Sequence, residues 1–121
     1  MLKIKEKKMK ELFKIKDITF YEEEFLDDIK EYEDVLPIIK ELSSNLDYEK
    51  IEVVDLNDCC EKTKENYIIE IPGFLNEEDE FLTKEEVLNM GEAAQGKILD
   101  IFVIRIYKCT KCNKWIIDIL E

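Results

Sequence analysis

The chain has 121 residues, 45% apolar and 40% charged, with 30 acids against 18 bases and a formal net charge of −12. That length fits one domain, and the apolar share is that of a folded protein rather than a disordered acidic chain. Histidine is absent, which excludes Ser-His and Cys-His dyads and every metal site built on imidazole.

Met1 to Glu11 reads as a frayed or helical basic start to a single domain over 1–121. Leu12 to Phe20 carries apolar residues at 13, 15, 18 and 20, a near-alternation that predicts a strand with a bulge. Phe25, Leu26, Ile29, Tyr32, Leu36, Ile39 and Leu46 then recur at three- and four-residue spacing, an amphipathic helical pattern. Pro37 would break one long helix, so the spacing predicts two, over 21–33 and 35–45. Asp34 is the expected N-cap of the second, with Pro37 in its first turn. Short β-branched runs predict strands at 51–56 and 67–71, and Pro72-Gly73 a turn after them. Thr83-Lys-Glu-Glu86 forms a capping box ahead of a helix over 84–94, with Gly96 suited to its left-handed end. The strongest strands are 98–107 and 114–120, rich in Ile, Val, Phe and Trp. The order β-αα-ββ-α-ββ predicts an α+β fold, a small mostly antiparallel sheet with about three helices.

No apolar run approaches the roughly 18–20 residues of a membrane span, and no secretory signal is visible at the N-terminus. A cytoplasmic protein is the expectation, and there thiols stay reduced. Four cysteines therefore point to metal ligands or redox groups before structural disulfides.

Cys109-Thr-Lys-Cys112 lies between the two strongest strands, so 98–120 reads as a hairpin with Cys-x-x-Cys at its turn. Such a turn lets both sulfurs face one ion at about 2.3 Å. Asn113, after the second cysteine, can take the positive φ expected there. Cys59-Cys60 falls between the strands at 51–56 and 67–71, at the tip of a second predicted hairpin. Two such tips brought together make a metal site from Cys59, Cys60, Cys109 and Cys112. Adjacent residues of a strand point to opposite faces, so both Cys59 and Cys60 can bind only if the chain bends between them. Asp58 or Glu61 is an alternative ligand. A closed sulfur site is structural, which makes zinc the expected metal. A reduced, metal-free set, a redox Cys-x-x-Cys and a vicinal Cys59–Cys60 disulfide are the competing readings.

Residues 102–117, with Tyr107 two positions before Cys109, resemble the knuckles of zinc-ribbon and rubredoxin-like domains. The likeness is local, and it lacks both a glycine at 113 and a second Cys-x-x-Cys. The richness in Ile, Lys, Glu and Asn resembles that of short proteins from low-GC, Firmicutes-type bacteria.

Charge is segregated. Residues 1–17 are net +4, residues 18–96 net −18 and residues 97–121 net +2. Glu22–Glu24, Asp27-Asp28 and Glu77–Glu80 read as solvated acidic faces. An acidic middle repels phosphates, so nucleic acid is not the expected partner. No phosphate-binding glycine loop and no calcium-loop pattern is present. These features predict a non-enzymatic protein-binding module with a structural zinc site. The alternatives are an acidic inhibitor or immunity-type protein docking on a basic partner such as a nuclease, and a thiol redox protein using Cys109 and Cys112.

Overall fold

Phe102, Ile104 and Ile106 are buried and alternate with more exposed neighbours, as one inward face of a strand requires. They lie in the centre of a computed structural model that describes residues 9–94 and 96–121. The expected basic start lies, as far as Lys8, outside the described residues. The elements are β1 (Glu11–Ile15), β2 (Ile18–Tyr21), α1 (Leu36–Leu42), β3 (Glu49–Glu52), β4 (Glu65–Leu75), β5 (Phe81–Thr83), α2 (Lys84–Met90), β6 (Asp100–Cys109) and β7 (Trp115–Leu120).

β1 and β2 form a separate hairpin, while β3-β4-β6-β7 form an antiparallel sheet with β5 added to the far end of β4. Ile69 stands opposite Ile106, and Ile71 opposite Ile104. These residues join Phe13, Ile15, Ile18 and Phe20 of the hairpin and Leu36 and Ile39 of α1 in one core. Trp115 is its hub. The indole is 1% exposed, and its ring centroid lies 4.5 Å from Phe25, 5.2 Å from Phe20 and 5.4 Å from Phe13. Its Nε1 donates to the Tyr21 carbonyl at 2.8 Å, and its own carbonyl accepts from the Leu26 amide at 3.0 Å. The start of β7 is thus fastened to both the hairpin and the strap at 22–26.

The expected α+β fold with about three helices is corrected by the structure. Among the described residues the chain is mostly β, and the two α-helices there have seven residues each. The segment 21–33 is not a helix but two 3₁₀ turns, Glu22–Glu24 and Ile29–Tyr32. A 3₁₀ turn repeats after three residues, so it produces much of the same apolar spacing. Between the turns Phe25 is extended and bridges to Trp115. The helix expected over 35–45 shortens to α1, and its N-cap is Val35, without a side-chain bond, rather than Asp34.

Pro72-Gly73 is not a turn but lies inside β4. At Pro72 the outer edge of β4 has no partner, since the pairing with β3 reaches only to Ile68 and the pairing with β5 only to Gly73. Glycine follows because a Cβ there would run into the Phe81 ring and stand 2.7 Å from the Leu82 carbonyl. The slip in alternation over 12–20 contains a reversal at Lys16, φ 55°, which divides β1 from β2. Thr83 caps α2 as expected, its Oγ1 accepting the Glu86 amide at 3.1 Å. Gly91 (φ 55°) ends α2, and a 3₁₀ turn follows over Gly91–Ala94. No helix among the described residues is long and apolar enough to cross a membrane.

Because Trp115 joins three separate segments, Trp115→Ala is expected to cost about 3–5 kcal/mol in urea unfolding. A cost within about 0.5 kcal/mol, as for a surface substitution, would refute that role.

Candidate metal centre

Asn66, near the start of β4, stands opposite Cys109 at the end of β6. That register brings the connection 53–64 and the turn 110–114 to one end of the sheet. The connection brings Cys59 and Cys60, the turn brings Cys112, and the end of β6 brings Cys109.

The β6–β7 turn closes through two backbone bonds, Cys109 N to Lys114 O at 2.9 Å and Asn113 N to Cys109 O at 3.2 Å. Asn113 takes φ 68°, the left-handed conformation its side chain tolerates. Across from it, Asn57 organises the second turn. Its carbonyl accepts from the amides of Cys60 at 3.3 Å and Glu61 at 2.7 Å. Its amide donates to Thr63 O at 2.8 Å. Its side chain donates to Glu65 O at 3.1 Å and accepts from Asn66 Nδ2 at 2.8 Å. Glu61 then reverses the chain at φ 55°. This tight turn removes the objection from adjacency, because Cys59 and Cys60 are not in extended chain.

All four Sγ atoms lie within 4.8 Å of one another. Cys112 Sγ is 3.0 Å from Cys59 Sγ, and Cys60 Sγ is 3.6 Å from Cys109 Sγ. A tetrahedron with metal–sulfur bonds of about 2.3 Å has edges of about 3.8 Å, so a modest adjustment would seat one ion. Neither Asp58 nor Glu61 belongs to the cluster, and both are exposed. Cys109 is buried and the other three are half-buried.

The sulfurs differ electrostatically. Burial pushes the Cys109 thiol up, but the Cys112 amide, the Asn57 side chain and the Lys111 amide prevail and bring it down to about 6. Burial raises Cys59, and its contacts with Cys112 and Cys109 raise it further. Cys109 is therefore more readily deprotonated than Cys59.

Lys108, 4% exposed, reaches the same turn from the core side. Its Nζ donates to Asn113 O at 2.9 Å, lies 3.5 Å from Glu24 Oε1 and stands 5.1 Å over the Phe20 ring. Burial lowers its pKa, and the attraction of Glu24 offsets part of that. The sequence offers Lys108 only as a charge to offset the sulfurs, not as a donor to the turn, and does not single out Asn57. A lysine continuing the inward row of Ile104 and Ile106 was the signal for the first. An asparagine two residues before a cysteine pair was the signal for the second.

A cleft of about 660 Å³ borders the cluster and touches Cys59 and Cys109. Leu26, Val54, Leu56, Tyr107 and Ile116 supply much of its apolar lining, and Asp55, Asp58, Asp118 and Lys114 its charges. No protein-family model, curated protein or solved structure matches the chain.

In metal-free protein, an ultraviolet thiolate band should grow in as pH rises through about 6. Below that pH it should be absent, and Cys109→Ser should remove the step. A first thiolate titrating instead near the free-cysteine value of about 8.5 would contradict the assignment.

Proposed function

We propose that Cys59, Cys60, Cys109 and Cys112 hold one structural Zn²⁺, and that the sheet end it pins serves protein binding. The convergence of four sulfurs within 4.8 Å supports the metal. A soft, tetrahedral, all-sulfur donor set suits zinc, whereas magnesium and calcium require oxygen. Four protein ligands leave no open position for substrate, which favours a structural role. The strand-borne Cys-x-x-Cys and Tyr107 keep the likeness to zinc-ribbon and rubredoxin-like knuckles. Four thiolates and Zn²⁺ sum to −2, and Lys108, Lys111 and Lys114 stand on or beside the turn to offset that charge. A thioredoxin-like redox role is less well supported, because Cys109 and Cys112 lie between two strands rather than at a helix N-terminus.

Purified protein should contain one zinc per chain, with its thiols shielded from alkylation. With free zinc held a thousandfold above Kd, chelation should remove about 4 kcal/mol of stability. Absence of metal, with unfolding indifferent to chelator, would overturn the zinc reading.

The cleft supports the binding role. Leu26, Val54, Leu56 and Ile116 are 53%, 87%, 47% and 39% exposed and gather around one concavity. Scattered exposed leucines are ordinary, but a contiguous patch is a feature of interaction sites. Its charges, three aspartates against Lys114, favour a basic partner with apolar side chains, the acidic-inhibitor form of the reading. Against a panel of purified basic proteins, nucleases included, association should weaken with added salt. Asp55→Lys with Asp118→Lys should slow it at least about tenfold. Binding unchanged by both reversals would exclude this cleft.

A further inference from the structure

We infer that the four cysteines have a second cross-linked state: without metal, in the presence of a low-molecular-weight disulfide, they pair as Cys59–Cys112 and Cys60–Cys109. The zinc reading enters only as the competing state. The pairing itself is carried by the sulfur positions.

Four cysteines allow three pairings. The one that stays within each turn joins Cys59 to Cys60 and Cys109 to Cys112. Consecutive Cα atoms stand about 3.8 Å apart across a trans peptide, closer than the roughly 4.4–6.8 Å that disulfides span. The Cys59–Cys60 half of that pairing is therefore strained. Of the two that cross between turns, one follows the two sulfur–sulfur contacts that have hydrogen-bond geometry, 3.0 Å for Cys59–Cys112 and 3.6 Å for Cys60–Cys109. A sulfur–sulfur bond is about 2.05 Å, so each pair closes by roughly 1–1.5 Å of side-chain movement. Both bonds then join the connection 53–64 to the β6–β7 turn, the same two segments that a shared ion would join.

The chemistry balances with glutathione disulfide as oxidant. A thiolate of half-exposed Cys60 or Cys112 attacks one glutathione sulfur, and a glutathione thiolate leaves with the electron pair. The partner cysteine attacks the mixed disulfide and expels a second glutathione. Buried Cys109 enters only in this second step, against Cys60, and needs no access of its own. Per bond, two protein thiols are oxidised, one glutathione disulfide is reduced to two glutathiones, and the two thiol protons pass to them. A bound metal occupies the sulfur lone pairs and delays the first attack.

The test equilibrates metal-free protein in glutathione redox buffers. The wild type should lose four hydrogens in mass, and partial reduction with alkylation should map Cys59–Cys112 and Cys60–Cys109. Four double variants refine it. Cys60→Ser with Cys109→Ser, and Cys59→Ser with Cys112→Ser, each leave a matched pair. Cys60→Ser with Cys112→Ser, and Cys59→Ser with Cys109→Ser, leave crossed pairs. Matched pairs should form disulfides with equilibrium constants at least tenfold above crossed ones. Each variant loses one cysteine per turn, so a general loss of folding would not favour either class. If the variants do not fold, the wild-type map decides. Equal constants, a Cys109–Cys112 bond, or glutathione adducts alone would overturn the inference. One equivalent of zinc should slow oxidation at least tenfold. If the matched bonds form in protein that never takes up zinc, the metal reading fails and this one stands. If zinc binds and the crossed pairs form as readily, the reverse holds.

Discussion

The site depends on one register. Asn66 opposite Cys109 places the turn before β4 and the turn after β6 at the same end of the sheet. A slip of one residue would turn Cys109 to the other face, because side chains alternate with a period of two. Slippage is opposed along the length of the pair, where Ile69 and Ile71 meet Ile106 and Ile104 in the core. The position of the cysteines is therefore a consequence of burying isoleucines well away from them.

Lys108 carries that coupling from core to turn. It is the cross-strand partner of Trp115, so the hub of the aromatic core and the ammonium that grips the cysteine turn sit side by side. The ammonium ties the Asn113 carbonyl to Glu24 in the strap. Leaving this buried charge unpaired would be costly. That gives the strap a reason to keep its carboxylate in place although the neighbouring turns are short. It also shows that one of the residues in Glu22–Glu24 is more than a solvated acid.

Much of this was legible from alternation and spacing. Strands at 98–107 and 114–120 foreshadow β6 and β7, and the Thr83 cap marks α2. The cysteine turn could be placed because Cys-x-x-Cys interrupts two strongly β-forming runs. The strap was illegible, since the three- and four-residue spacing of Phe25, Ile29 and Tyr32 suits α-helix and short 3₁₀ turns alike. What decides between them is the contact of Phe25 with Trp115, ninety positions away in the chain. Pro72-Gly73 misled for a related reason. Local turn chemistry lost to an unpaired strand edge and a ring passing over the glycine, neither visible from neighbouring residues. The convergence of the two cysteine pairs could be conceived from the sequence, but only long-range register specifies it.

The connection 53–64 explains why this end of the sheet calls for a cross-link. Its apolar residues contribute nothing to the core: Val54 and Leu56 are among the exposed hydrophobics and Val53 is half-buried. Ordering a backbone costs about 1–2 kcal/mol per residue, and burial offsets little of that here. The Asn57 hydrogen bonds lower the cost locally, but each yields only about 0.5–1.5 kcal/mol net. A bond between sulfurs, or from sulfurs to one ion, is of a different magnitude. Were such a bond made, the conformation of the cleft wall formed by Val54, Asp55 and Leu56 would follow the state of the cysteines. Any partner that reads this wall would also read whether the sulfurs are joined.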